Sequence, residues 1–368
     1  MSQVDTLALG GSKDGSDWSN TNSVNNELWL KVFGGEVLAA FEKQIEISPR
    51  LMTRTISSGK SAQFPIHGRV NARSHRAGDD ILNTAAAGPY YDDAIQAGDA
   101  TDGRPQDWTA NATGEYLQNP GSSEKIITIN DLMIASVFID DLDETKAHYD
   151  LRSAYTTELG RAMARKLDNL AARAIFAGTA DAGAAADGPM RAGQSIYDAN
   201  MLTQADTMAS SIIGAAQKLD EYDVPSEDRF CILSPQGYYL LLRAAGGVGG
   251  DNYAALLSKD YSMGNGDYAE GRVLMVAGIP VIVSNNAGFG RTFATAEQGE
   301  TNSLNVNMSD CAGLVAHKQA AGILKLKDLQ LESEYLIQNQ GHLFVSKMAC
   351  GVAPLRTDCA VSLHNAAS

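Results

Sequence analysis

Positive charge is scarce in this sequence: 29 lysines and arginines face 44 aspartates and glutamates, a formal net charge of −15 over 368 residues. A surface so acidic repels the phosphates of nucleic acid. That excludes a dedicated DNA- or RNA-reading domain, but not a protein that encloses DNA without gripping it. Cysteine is scarce too. Cys231, Cys311, Cys350 and Cys359 form no C-x-x-C pair and no zinc spacing, so they read as buried free thiols in a reducing compartment. The six histidines, His67, His75, His148, His317, His342 and His364, stand in no H-E-x-x-H or other short metal spacing, and no metal is expected. No apolar run approaches the ~20 residues of a membrane span. The stretch "MSQVDTLALGGSKDGSDWSN" lacks the basic start and apolar core of a signal peptide. These absences point to a soluble protein kept in the cytosol, with no membrane partner.

What is present suits a globular chain: hydrophobic residues make up 44% and charged residues 20%, enough to build a large core in two or more lobes. One tripeptide invites a nucleotide-binding reading. Gly59-Lys60-Ser61 in "RTISSGKSAQFP" matches the end of the phosphate loop G-x-x-x-x-G-K-[ST]. The first glycine would have to stand at position 54, which is Arg54, and a bulky cation cannot adopt the glycine-only backbone there. After Ser61 a helix should open, yet "AQFPIHG" contains Pro65 and Gly68 and reads as extended chain. The tripeptide needs another purpose.

Periodicity organises the rest. Residues 1 to about 24, rich in Gly, Ser, Asn and Asp, predict an arm that is mobile or ordered by a partner. Leu30, Phe33, Val37 and Phe41 form one apolar helical stripe. The Gly34-Gly35 pair inside it costs roughly 1 kcal/mol per glycine relative to alanine, which a bend or close approach of a neighbouring backbone would offset. That neighbour could belong to the same subunit or to another. From Ser57 to about Glu124 the chain is dense in Gly, Asp, Asn, Ala and Pro. The strand-like pieces "SAQFPIHG" and "EKIITIN" bound it, which predicts a long two-stranded excursion projecting from the body. A helix then spans about 143–176, roughly 50 Å long. Asp141 and Glu144 open it as a capping pair, and its stripe is Leu151, Tyr155, Leu159, Ala162, Met163, Leu167, Leu170 and Ala174. Arg161, Arg165, Lys166 and Arg173 crowd its later half, where the helix dipole favours cations.

A mixed α/β lobe is expected over about 206–316. It contains a helix near 205–221, the strand "RFCIL", a helix opened by Ser234 and Pro235, a short helical "NYAALLS", and two strand-like runs flanking Gly278. The last fifty residues predict a long hairpin. "ILKLKDLQLESEYLI" slips phase at Asp328, where a bulge is plausible, and Gly341 sits in the turn before "HLFVSKMACGVAPL".

Chemistry needs convergent side chains, and these are missing. There is no G-x-S-x-G elbow. "GGVGGDN" puts Asn252 where a dinucleotide loop needs its third glycine. The acidic "DDLDE" reads as a helix N-terminus rather than a cation site, and "YYDD" and "GDATDG" do not complete an EF-hand. No catalytic residue and no cofactor is expected, which leaves an α/β nucleotide-dependent enzyme only as an alternative.

The order of arm, apolar helix, hairpin excursion, girder helix, α/β lobe and returning strands resembles the HK97-type major capsid protein, an α+β fold. Specific words sharpen it. "LWLKVFGGEVLAAF", "RTISSGKSAQFP", "EKIITINDLM", "HYDLRSAYTTELG", "VPSEDRFCILSPQGYYLLL", "NYAALL" and "LKLKDLQLE" resemble their counterparts in capsid proteins of T7-like short-tailed phages. The chain departs from them in its first residues, in the loop at 71–122, and at Thr357, where a proline is expected after the arginine.

The resemblance implies an N-terminal arm at 1–58 and an extended loop at 59–127 lying over a neighbouring subunit. It also implies a peripheral domain with a spine helix at 128–205, an axial domain at 206–316, and peripheral strands at 317–368. It implies hexamers and pentamers closing an icosahedral shell around double-stranded DNA. Procapsid assembly would use a scaffolding protein, with expansion on packaging through a portal protein, with or without an accessory cement protein, in the bacterial host cytoplasm. A cellular nanocompartment shell of the same fold is the structural alternative. Phe33, Gly34, Gly35, Gly59, Lys60, Ser61 and Phe64 are the candidate contacts between copies. In this reading the GKS corner turns the arm into the extended loop, and Lys60 is available for an ion pair between subunits.

Overall fold

The computed structural model of the chain describes residues 36–67, 122–129, 131–146, 151–180, 191–245, 266–267, 272–273, 275–293 and 304–366. The expected arm, Leu30, Phe33, Gly34 and Gly35, the body of the extended loop at 68–121, and "NYAALLS" lie outside the described residues.

The girder helix runs from Leu151 to Ala180, 30 residues or roughly 45 Å. A separate short helix, Asp141–Lys146, precedes it. The cap differs from expectation by one residue: Asp140 Oδ1, not Asp141, accepts from Leu142 N–H at 2.8 Å. Glu144 does not reach back to a cap. It pairs with Arg152, whose Nε lies 2.6 Å from Oε1, because the next helix brings that guanidinium alongside.

The helix stripe is wider than its periodicity implies. Leu159, Met163, Leu167, Leu170 and Ala174 are buried as expected, but Tyr155 and Ala162 are exposed. Ala164, Ala171, Ala172, Ile175 and Phe176 are buried as well. The cause is packing on several sides: the later half of the helix touches strands of both major sheets, and its small alanines let them approach. Arg173 is corrected for the same reason. It does not face the helix dipole from the surface but is 1% exposed. Its Nε donates to the Leu304 carbonyl at 3.0 Å, and its guanidinium lies 4.8 Å over the Phe293 ring.

Sixteen strands are present among the described residues. They are β1 (Met52–Thr55), β2 (Ser61–His67), β3 (Ser122–Thr128), β4 (Leu132–Asp140), β5 (Gln194–Tyr197) and β6 (Arg229–Leu233). Then come β7 (Gly266–Asp267), β8 (Arg272–Val273), β9 (Met275–Val276), β10 (Ile279–Val283) and β11 (Thr292–Phe293). The last are β12 (Val306–Asn307), β13 (Cys311–His317), β14 (Ala321–Leu336), β15 (Gly341–Pro354) and β16 (Ala360–His364). One sheet has the order β1-β14-β15-β4, with β1 parallel to β14 and the other pairs antiparallel. A six-stranded sheet has the order β5-β16-β13-β6-β10-β9. β2–β3, β7–β8 and β11–β12 are separate two-stranded pairs.

The long hairpin β14–β15 slips register between Lys325 and Gln330, a stretch that includes Asp328. Its turn corrects one expectation. Gln340, not Gly341, holds the left-handed conformation, at φ 48°. Gly341 opens β15 instead, where a Cβ would lie 2.4 Å from the Ile139 carbonyl and 2.5 Å from the Phe138 ring. At the end of the chain, β16, in the segment 317–368 that the resemblance gives to the peripheral strands, lies between β13 and β5, so the six-stranded sheet draws strands from three of the expected segments. All five residues of β16 are buried, as a strand covered on both faces requires.

The helix at 205–221 and the helix Pro235–Ala245 form where periodicity put them. The second is capped by Ser234, whose Oγ accepts from Gly237 N–H at 3.1 Å. Thr357, the departure from the expected proline, is 1% exposed, and its hydroxyl donates to the Arg191 carbonyl.

One buried carboxylate joins three parts of the chain. Asp168, on the long helix, is 0% exposed. Its Oδ2 accepts from Glu46 N–H at 2.9 Å, and its Oδ1 from the N–H groups of Ile47 at 3.2 Å and Ser48 at 3.1 Å. Ser48 Oγ adds a bond at 3.0 Å, and Asn286 Nδ2 stands 3.4 Å from Oδ2. The segment entering β1, the long helix and the loop after β10 therefore meet on one side chain.

Candidate assembly surface

The GKS corner is a strand-to-strand turn. β1 ends at Thr55 and β2 begins at Ser61, so no helix N-terminus follows to cradle a phosphate. Gly59 holds φ +105° with no neighbouring atom within 4 Å of where a Cβ would stand, so its need is conformational rather than steric. Lys60 is exposed, and its carbonyl accepts from Ile129 N–H at 2.8 Å. Ser61 pairs with Thr128 at the start of the β2–β3 ladder. Arg54, the residue that breaks the nucleotide motif, donates from Nη1 to the Gln63 carbonyl at 2.8 Å and lies 5.8 Å from the Phe64 ring centroid. Phe64, expected as a contact between copies, is 3% exposed and packs within its own chain.

That packing fixes the root of the excursion. Phe64, Ile127 and Ile129 sit on Leu324, Ala349 and Leu355. Two glycines make the close approach possible. A Cβ on Gly351 would lie 2.4 Å from the Thr128 carbonyl, and one on Gly322 would meet Ile127 and Leu355 at 2.9 and 2.8 Å. The β2–β3 root therefore covers one half of the outward face of the four-stranded sheet, the face turned away from the long helix.

The other half of that face is uncovered among the described residues. Alternation places Leu132, Ile134, Ser136 and Phe138 outward, opposite Ala349, Lys347, Val345 and Leu343 of β15. Leu132 is 47%, Ile134 58% and Phe138 41% exposed. Glu332 and Glu334 of β14 stand beside Val345 and Leu343, and Glu332 pairs with Lys347. The patch is thus apolar with a charged margin. β4, nine residues long, is also an edge strand whose far side has no partner strand among the described residues. At the hairpin tip, Ile337 and Leu142 are exposed, and Tyr335 Oη donates to Asp141 Oδ2 at 2.9 Å. A large apolar sheet face that continues to a free edge marks an interaction surface.

This face escaped motif reading, but its signal is in "LMIASVFID". Inward Met133, Ala135, Val137 and Ile139 alternate with outward Leu132, Ile134 and Phe138, so both phases are apolar. A half-exposed strand should alternate apolar with polar, and two apolar phases predict cover on both sides.

Reactive chemistry is not assembled among the described residues. No group of three metal-ligating side chains converges there. All four cysteines are buried, and burial pushes the Cys311 and Cys350 thiols up to about 12, which keeps them protonated. Burial also lowers His317, His342 and His364 below the ordinary histidine value. No described helix is long and apolar enough to cross a membrane.

Known proteins share this arrangement. The Gp10A-like major capsid protein family matches residues 109–364. The chain is 31% identical over 350 residues to the major capsid protein of Escherichia phage T7, covering 90% of each. It is 29% identical over 373 residues to the major capsid protein of Enterobacteria phage T3, covering 95% of this chain and 96% of that one. Among solved structures, the capsid of Cyanophage P-SCSP1u is similar with a TM-score of 0.65 at 31% identity, covering 87% of both chains.

Proposed function

The chain belongs to the T7-type major capsid protein family, with an HK97-like fold and a structural role in the virion, and from that premise we propose how its surface builds the shell. Copies gather as hexamers and pentamers and close an icosahedral shell around double-stranded DNA. Residues 1–58 act as the arm and 59–127 as the extended loop. The long helix and long strands make the peripheral domain, and residues 206–316 make the axial domain at the centre of each capsomer. A scaffolding protein guides the first shell in the host cytoplasm. DNA entering through a portal protein then drives expansion, and an accessory protein can cement the outside.

One observation carries the reading. Among the described residues the outward sheet face is half covered by the chain's own β2–β3 root and half uncovered, and the uncovered half is apolar with a charged margin. A neighbour's extended loop laid along that face would bury Ile134 and Phe138. At about 25 cal/mol per Å² of apolar surface, each side chain contributes on the order of 1 kcal/mol, multiplied over every copy in the shell. The net charge of −15 suits the cargo, since an acidic inner wall does not adhere to packed DNA. No catalysis is needed for any of this. The enzyme alternative rested on GKS and GGVGG; the first sits in a strand-to-strand corner, and the second lies outside the described residues.

The test is assembly. The chain is expressed alone and with its scaffolding protein and imaged by negative stain. The unaltered chain is expected to give closed shells of uniform size, whereas Ile134→Glu with Phe138→Glu gives folded but unassembled subunits. A monodisperse monomer or dimer from the unaltered chain in both conditions would overturn the reading. Lys60→Glu, with normal shells as the refuting outcome, tests the ion-pair role of the GKS corner in the same assay.

A further inference from the structure

A cleft of about 390 Å³ opens where the segment entering β1 meets the six-stranded sheet, and its lining includes Arg50, Asp228, Arg229, Gly278 and Lys318. Three cations line it with one carboxylate, and Asp220 pairs with Arg229 from outside the lining, which leaves the spot a net charge of +1 on a chain whose net charge is −15. Arg229 is preset for it. Its side chain is 5% exposed, its Nε donates to the Pro225 carbonyl at 2.9 Å, and its Nη2 serves Asp220 Oδ1 at 2.7 Å and the Val224 carbonyl. Nη1 is the guanidinium nitrogen with no bond of its own among these. Lys318 is half exposed, with Nζ 3.9 Å from Asp228 Oδ2, the outer limit of an ion pair, so its amine is loosely held. Arg50 is exposed and has no ion pair among the described residues.

We propose that this cleft receives an acidic side chain from a second copy of the chain and acts as an electrostatic seat between subunits. The inference rests on the shell reading. Charge complementarity carries it: copies this acidic repel one another on approach, and a cationic spot on each is where a neighbour's excess carboxylates are attracted. A single carboxylate fits better than a nucleic acid backbone. The cations line one cleft rather than lying along a stripe, as a tracked phosphate chain needs. Asp228 repels either anion, so the carboxylate that sits here competes with it for Lys318. The position also suits a joint, since Arg50 lies next to the residues held by Asp168 and Lys318 lies in the turn between β13 and β14.

Zero-length carbodiimide crosslinking of shells built from mixed unlabelled and ¹⁵N-labelled copies tests it, read by mass spectrometry. A bond between Lys318 and a carboxylate of a differently labelled copy is expected in shells and not in unassembled chains. Asp228→Asn removes the competing carboxylate within the chain, and asparagine tolerates the φ of 57° at that position, so the bond between copies should become more frequent. Arg50→Glu with Lys318→Glu, folded by circular dichroism because both residues are exposed, should lower the yield of closed shells about tenfold at low salt. The gap should narrow toward 1 M salt, where the Debye length falls to ~3 Å. Well-formed unaltered shells without a Lys318 bond between copies would overturn the proposal alone. So would charge-reversed shells that assemble normally but retain less DNA, which would assign the cations to nucleic acid. Failure of the unaltered chain to form any shell would overturn the assembly reading and this inference together.

Discussion

Replacing Asp168 with asparagine removes one oxygen from a site where both oxygens are in use. If the amide nitrogen takes the Oδ2 position, it faces Glu46 N–H and Asn286 Nδ2; if it takes the Oδ1 position, it faces the N–H groups of Ile47 and Ser48. Either orientation turns at least one charge-assisted bond into a donor–donor contact in a fully buried site. Bonds to a charged group contribute about 1.5–3 kcal/mol each, and a buried donor left unsatisfied costs about 1–3 kcal/mol. The neutral amide recovers part of this, because burying it costs less than burying a carboxylate. The net expectation is a loss of about 3 kcal/mol, or about 6 °C in Tm at about 2 °C per kcal/mol for a chain of this size. Thermal unfolding of unassembled protein followed by circular dichroism measures the size. Hydrogen exchange at the backbone N–H groups of residues 46–48 measures the place, and protection there should fall more than in β13. A variant with Tm within about a degree of its parent and unchanged protection at 46–48 would refute the reasoning, because the segment entering β1 would then be held by something else.

Gly160→Ala puts a Cβ 2.4 Å from the Val37 carbonyl and 3.0 Å from Ala40 Cβ. Residues 36–44, which are helical, must shift or detach, so a loss of about 1–2 kcal/mol is expected despite alanine's higher helix propensity. Gly178→Ala in the same helix meets only Pro354 Cβ at 3.4 Å and should be neutral or slightly stabilising, which makes it the control in the same melt. Acid should weaken the fold in a defined window. His317 and His364 are held below the ordinary histidine value of 6.5 mainly by burial, so the unfolded chain binds more protons than the folded one as pH falls. Their contribution is present above about 6.5 and lost as pH drops toward the folded values. Tm should therefore fall between about pH 7 and pH 5, and His364→Gln should flatten that slope. An unchanged slope in this variant would place the proton uptake elsewhere.

Elements with one dominant environment were legible in the sequence. The helix at 205–221 buries one stripe, the helix after Ser234 carries its own cap, and the β14 bulge shows as a phase slip near Asp328. The misreadings share a cause, which is partners distant in sequence. Arg173 looked like a dipole residue because nothing local reveals that Leu304 and Phe293 will meet it. Gly341 looked like a turn glycine because turns favour glycine, whereas Ile139 and Phe138, far earlier in the chain, demand its missing Cβ. β16 looked like an appendage to the preceding strands, but a five-residue run with every side chain buried belongs in the middle of a sheet. The candidate surface was half legible. The GKS corner was found by a motif it does not fulfil, and Phe64, named as a candidate contact between copies, is buried against its own chain.

The sequence feature that best marks this chain as part of something larger is therefore the double apolar phase of "LMIASVFID". An isolated subunit leaves Ile134 58% and Phe138 41% exposed among the described residues, and an edge strand carrying them is a hazard for uncontrolled pairing. The same sheet face shows how the hazard is met within the chain. Gly322 and Gly351 thin the backbone so that the β2–β3 root can lie flat on it, and Phe64, Ile127 and Ile129 seal that half. Sealing the remaining half the same way needs a second extended segment. The β2–β3 root is already committed to the first half, and under the proposed assembly the second cover comes from another copy. An interface built by that logic is matched to a neighbour rather than to the chain itself. Single substitutions at Ile134 or Phe138 should then leave the melting of the isolated subunit almost unchanged while lowering shell yield, and a fall in both would tie these side chains to the subunit's own fold.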